Sequence, residues 1–158
     1  MTYTVLFVCA GNVGRSPLAE AMARRFLAEA LRAKDSDLEV RGIRVLSAGI
    51  EAPEGIQTSG RGVELAEEIG IAMVASPARR LTKGMAVGAD VIFGMDAGQV
   101  EYLSQWGFGE KTELLDPHGG EIPDPRRQDT AFFRDVRDQI ALALSERVPQ
   151  ILIAAGLG

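Results

Sequence analysis

Apolar residues crowd near the amino terminus, where Val5, Leu6, Phe7 and Val8 run without a polar break and stop at Cys9. A β-branched and aromatic run of this length predicts a buried parallel strand. Gly11, Asn12 and Gly14, which tolerate positive φ, follow as a loop. Beyond them Leu18, Ala19, Met22, Phe26, Leu27 and Leu31 recur at a helical period. That helix is expected to take Ser16 as its cap and Pro17 in its first turn, and to run to about Arg32 or Ala33.

The same alternation continues along the chain. Lys34 to Asp37 make a polar turn, and Gly42 to Leu46 read as a second strand reaching Ser47, Ala48 and Gly49. Glu51 to Gly60, with Pro53 and Gly55 and no periodicity, is a loop. Thr58 or Ser59 caps a helix over Val63, Leu65, Ala66 and Ile69 that ends near Gly70. Arg79 to Gly88 reads as a shorter helix with Thr82 as a cap candidate, Asp90 to Met95 as a buried strand, and Ala97 to Trp106 as a helix. A small strand at Thr112 to Leu115 precedes a turn-rich segment, Asp116 to Arg127. The last helix runs from about Asp129 to Arg147 with Ala131, Phe132, Val136, Ile140, Ala143 and Leu144 as its inner stripe. Pro149 is expected to end it, leaving the apolar tail ILIAAGLG to pack on the body or form a dimer contact. Strands alternating with helices predict a three-layer, doubly wound α/β sandwich whose ligands bind beyond the carboxyl ends of its strands.

Composition narrows the function more than the fold. The 158 residues suit one domain over 1–158, and 46% hydrophobic with 25% charged is an ordinary soluble mixture. A net charge of −5 argues against a nucleic-acid partner, which would need a basic surface. The apolar run at residues 5–9 is too short to span a bilayer or form a signal-peptide core, so no membrane partner and a cytoplasmic location are expected. One cysteine and one histidine leave no Cys-rich or His-cluster metal site and no intramolecular disulfide, so neither metal nor other cofactor is expected.

The chemistry gathers at the first loop. A strand delivers Cys9 to the mouth of a concave turn, Ala10 to Gly14, that runs into a helix start, with Arg15 and Ser16 following. Loop amides and a helix N-terminus accept phosphate oxygens, and a planar guanidinium grips two at once. The same positive field favours thiolate over thiol, and Ser16 can donate to the sulfur. A thiolate beneath a bound phosphorus can displace an ester oxygen and form a phosphocysteine, splitting hydrolysis into two steps. Expelling that oxygen needs an acid. Two Asp-Pro dipeptides offer one, at Asp116 and Asp124, and either can equally be a turn residue. Asp96, at the end of a strand, reads as a helix cap, and His118, in a Gly-rich turn, as a solvated loop residue.

VLFVCAGNVGRSPLAEA closely resembles the signature of the low-molecular-weight protein tyrosine phosphatases, whose loop runs Cys, five residues, Arg, Ser. RVLSAGI from Arg44, SPARRLT from Ser76, ADVIFGMD from Ala89 and IPDP from Ile122 follow in that family's order over nearly the whole chain. The resemblance implies a four-stranded parallel sheet of order 2-1-3-4. It also implies a metal-independent phosphomonoesterase using Cys9 as nucleophile, Arg15 and the amides of Ala10, Gly11, Asn12, Val13, Gly14 and Arg15 as phosphate ligands, and Asp124 as general acid. Asn12, Ser16 and Ser47 are implied as the groups that hold the loop in shape, and a histidine usual in that network aligns with Ser76.

Departures from the family pattern bear on the substrate. Aromatic cleft walls are missing: Glu51 and Ala52 occupy one such region, and Arg126 and Arg127 stand where tyrosines often sit. Phe132, Phe133, Tyr102 and Trp106 fall at helical positions and read as packing. Val13 lies between the isoleucine of the phosphotyrosine branch and the threonine of the phosphoarginine branch, so Val13, Glu51, Arg126 and Arg127 are the specificity candidates. Gly14 replaces a cysteine that many members use to shield the nucleophile, and the lack of further thiols excludes an arsenate-reductase relay. Phosphotyrosine protein is the family substrate. A small sugar or nucleotide phosphate, meeting Arg126 and Arg127 with a second anion, is the alternative, ahead of phosphoarginine protein and of a non-catalytic phosphate-binding module. A monomer or weak homodimer is expected.

Overall fold

Four strands account for the buried apolar runs: β1 (Tyr3–Cys9), β2 (Ile43–Gly49), β3 (Val91–Gly94) and β4 (Thr112–Leu114). In the computed structural model, which describes residues 1–158, they form one sheet of order β2-β1-β3-β4 with every pair parallel. The expected topology is therefore the observed one. β1 is central because it is apolar on both faces. Val5, Phe7 and Cys9 join one buried cluster, and Leu6 and Val8 join the other.

Five helices cover the two faces. α1 (Arg15–Leu31), α2 (Gly60–Glu67) and α5 (Thr130–Ala154) enclose the larger cluster, whereas α3 (Lys83–Gly88) and α4 (Ala97–Gln105) cover the smaller. α1 packs along α5, and α2 against both. The α2–α5 contact is fastened by charge: Arg137 and Arg134 of α5 reach Glu68 at 2.7 and 2.8 Å. Hydrogen bonds from Arg134 and then Arg137 hold the Glu68 carboxyl down to about 2. No helix is long and apolar enough to cross a membrane.

Three expected boundaries need correcting. α1 starts one residue before Ser16, at Arg15, and no side chain caps it. The Ser16 hydroxyl is engaged elsewhere, and an uncapped helix start inside a cleft is an anion site. Pro149 does not end α5, which continues to Ala154. Pro149 is exposed, so the Ser145 carbonyl that loses its partner faces water, while Ile151 beyond it is 2% exposed and holds the helix on the core. The apolar tail thus packs on the body through Ile151 and Leu152. The helix expected from Arg79 begins only at Lys83, capped by Thr82, because Arg79 to Leu81 are extended against the end of β2. There the Gly49 N–H donates to the Arg79 carbonyl and the Leu81 N–H to the Gly49 carbonyl, both at 2.8 Å.

Candidate active site

β1 ends on Cys9, and the chain then folds around the sulfur. Of the three residues expected to supply positive φ, only Asn12 does, at 55°; Gly14 sits at −112°. One left-handed residue is enough to reverse the chain, because neighbouring backbone fixes the rest. The carbonyls of Cys9 and Ala10 accept the N–H groups of Ile50 and Glu51 at 3.0 and 2.8 Å, and the Val13 carbonyl accepts that of Ser59 at 2.9 Å. A trans peptide sets C=O and the following N–H on opposite sides. With these carbonyls turned outward, the amides of Ala10, Gly11 and Gly14 face the concavity.

The sulfur sits among donors. Cys9 is 2% exposed, and the Asn12 N–H donates to its Sγ at 3.2 Å, with Ser16 Oγ at 2.9 Å. Ser16 Oγ accepts Asn12 Nδ2–H at 2.9 Å, and its one proton has two acceptors in reach, the sulfur at 2.9 Å and the more distant Ala48 carbonyl at 3.4 Å. Asn12 Nδ2 also donates to Ser47 Oγ at 2.9 Å, and Asn12 Oδ1 accepts the Arg79 N–H at 2.8 Å. Asn12, Ser16 and Ser47 are thus brought together behind the loop as expected. Ser76 is not part of this set; its backbone pairs with Thr58, and the Arg79 amide meets Asn12 instead.

Two acidic residues complete the arrangement beyond what the sequence revealed. Ser47 donates to Glu20 Oε1 at 2.6 Å, and Glu20 is also gripped by Arg24 at 2.9 Å and Arg79 at 3.3 Å. It thus anchors the hydroxyl that anchors Asn12. Asp96 caps α4 as expected, through Oδ1, while its Oδ2 holds the Arg15 guanidinium at 3.1 Å. The Ile122 carbonyl takes the same Arg15 nitrogen at 2.8 Å. Arg15 is 3% exposed, and its other terminal nitrogen lies 3.9 Å from Asp124 Oδ2.

Gly49 is a further residue that periodicity could not single out. A Cβ there would lie 2.6 Å from both the Asn12 nitrogen and the Gly11 carbonyl carbon, closer than carbon tolerates. Gly49→Ala is expected to push the loop off the end of β2. Thermal unfolding should report a loss of about 1 to 3 kcal/mol, with a fall in phosphate affinity alongside it.

Cys9, Arg15, Asp124, Glu51 and Arg126 line one cleft of about 490 Å³, together with Val13, Pro53, Ile56, Arg61, Pro125 and Phe133. Asp124 Oδ1 accepts the Arg126 N–H at 2.9 Å, which leaves Oδ2 on the Arg15 side. The other Asp-Pro carboxylate, Asp116, closes a turn on the His118 N–H and does not border the cleft. His118 itself is exposed and paired with Glu146. Two specificity expectations change. Arg127 is outside the cleft, because the turn closed by Gln128 N–H to the Pro125 carbonyl lifts it away. Phe133, expected to serve only as packing, is buried and also reaches the cleft, where its ring edge would lie 3.6 Å from a Cβ on Gly14.

The chain as a whole is similar to known proteins. The family model for low molecular weight phosphotyrosine protein phosphatase matches residues 4–152. A probable low molecular weight protein-tyrosine-phosphatase, EpsP, of Ralstonia nicotianae is 30% identical over 96% of this chain and 97% of its own. A protein-arginine-phosphatase of Bacillus subtilis is 27% identical over 93% of this chain and 95% of its own. Among solved structures, Vibrio vulnificus Wzb in complex with benzylphosphonate superposes with a TM-score of 0.81 at 25% identity, covering 95% of this chain and 99% of that one. With a match that spans the sheet, the loop and the last helix alike, the chain belongs to the low-molecular-weight phosphotyrosine protein phosphatase family, whose members hydrolyse phosphate monoesters through a cysteine and without a metal ion.

Proposed function

We propose that this protein hydrolyses phosphotyrosine in proteins through a phosphocysteine, with Cys9 as nucleophile, Arg15 and the loop amides as the oxyanion site, and Asp124 as the acid and base. The observation that carries this reading is the Cys9 sulfur at the floor of a cleft that also holds the Arg15 guanidinium and the Asp124 carboxyl. Two donors stabilise the sulfur as an anion. The thiolate attacks phosphorus while the tyrosyl oxygen departs opposite it, and Asp124 gives that oxygen a proton. A water then attacks the phosphocysteine, loses its proton to Asp124 and restores the thiolate. Arg15 grips two phosphate oxygens throughout, held in place by Asp96 and the Ile122 carbonyl.

Support for an aryl ester over a sugar or nucleotide phosphate comes from the walls. Pro53, Ile56, Pro125 and the edge of Phe133 offer apolar surface on which a ring loses water. Of the two arginines that favoured a second anion, only Arg126 lines the cleft. The test is a panel run in the presence of a chelator, comparing a phosphotyrosine peptide, a phosphoarginine peptide and sugar or nucleotide monophosphates by kcat/KM. The phosphotyrosine peptide is expected to exceed the sugar and nucleotide esters by at least about 10²-fold. A sugar or nucleotide phosphate in first place would overturn the substrate reading. Loss of all turnover with the chelator would overturn the metal-free mechanism.

A further inference from the structure

Glu51 and Arg126 stand in this cleft where the family's aromatic walls would be, and a further planar side chain, Arg61, borders it. Arg61 stands at the start of α2, just past Ser59, and three contacts fix its position. The Ser59 N–H is bonded to the Val13 carbonyl of the phosphate loop, which ties the helix start to the loop. The Arg61 guanidinium carbon lies 5.6 Å from the centroid of the Phe133 ring. Its Nη1 donates to the Gln128 carbonyl at 2.8 Å, on the turn that follows Asp124 and Pro125. The result is a guanidinium held between α2 and the start of α5, above a buried ring and inside the cleft that contains Cys9.

We infer that the Arg61 guanidinium, braced on Phe133, is the platform on which the ring of an aryl phosphate rests. Guanidinium is planar, weakly hydrated and stacks on aromatic faces, so it can replace an aromatic wall in a way that a lysine ammonium cannot. The neighbouring cation does not fit this role. The Arg126 side chain is 70% exposed and is directed to Asp124 at 3.8 Å. The inference rests on the phosphotyrosine reading and names the residue that makes the cleft prefer a ring.

Binding separates this from turnover. Calorimetry on the intact protein gives dissociation constants for phenylphosphonate and ethylphosphonate, two non-hydrolysable ligands that engage the same loop and differ in the ring. The ratio of the two constants is the aryl preference. Arg61→Ala and Arg61→Lys are each expected to reduce it by about 3- to 10-fold, and Arg61→Trp to restore it. Continued binding of ethylphosphonate reports in every variant that the phosphate loop is folded. Arg61→Lys keeping the parent's preference would assign the effect to charge and overturn the platform. So would an Arg61→Ala ratio equal to the parent's, or Arg61→Trp no more selective than Arg61→Ala. Failure of the catalytic reading looks different, because it leaves the two ligands bound and p-nitrophenyl phosphate intact.

Discussion

Replacing Cys9 with serine is expected to reduce turnover of p-nitrophenyl phosphate by at least about 10⁴-fold while leaving the protein folded and able to bind phosphate. A hydroxyl in this place stays protonated near neutral pH, so the donors that hold an anionic sulfur, the Asn12 amide and the Ser16 hydroxyl, would meet a neutral oxygen instead. The single histidine is bonded to Glu146 on the surface, and the chain has no second thiol. Phosphate affinity should persist because Arg15 and the loop amides are untouched by the change. Initial rates at matched substrate concentration, paired with calorimetry for inorganic phosphate, check both halves. Turnover within tenfold of the parent would remove Cys9 from the mechanism.

Asp124→Asn carries the second large effect, and its size depends on the ester. Asparagine keeps an oxygen to accept the Arg126 N–H, so the turn and the cleft should hold their shape. The transferable proton is lost, and with it the base for the second step, which slows breakdown of the common phosphocysteine equally for both esters; kcat/KM, which reports the first step alone, isolates the proton. A tyrosine phenol, with a pKa of about 10, needs that proton as it leaves, and general acid catalysis contributes typically about 10² to 10⁴. The phosphotyrosine peptide should therefore lose about 10²- to 10⁴-fold in kcat/KM. p-Nitrophenyl phosphate, whose oxygen departs readily without help, should lose much less. Equal losses on the two esters would place the proton donor elsewhere. The contact of Arg15 with Oδ2 at 3.9 Å is weakened for both esters alike and cannot mimic the difference.

What could be read before folding was whatever lies close in sequence. Cys9, Arg15 and Ser16 share one turn, so their spacing already described a phosphate site, and the alternation of Val5 and Phe7 with Leu6 and Val8 described a strand covered on both faces. The sheet order came through resemblance, since nothing local says that β3 lies beside β1. The residues missed were those whose partners are far along the chain. Asp96 meets Arg15 across 81 positions and Glu20 meets Ser47 across 27, and neither a place at a helix cap nor one along a helix names such a distant partner. Arg61 was hidden in the same way, because Phe133 and Gln128 belong to another element. Ser16 and Pro149 misled for the opposite reason. Their local preferences, to cap and to terminate, are each worth a few kcal/mol at most, and tertiary partners outweighed them.

The three outward carbonyls of the phosphate loop have an evolutionary consequence. They are satisfied by amides of Ile50, Glu51 and Ser59, the segment that also forms one bank of the cleft and leads into Arg61. A lineage drifting toward a new ester can exchange side chains there freely. An insertion or deletion between 50 and 59 that moves those amides out of register would unseat the oxyanion cradle, so recruitment to new substrates is expected to run through point changes rather than changes of length.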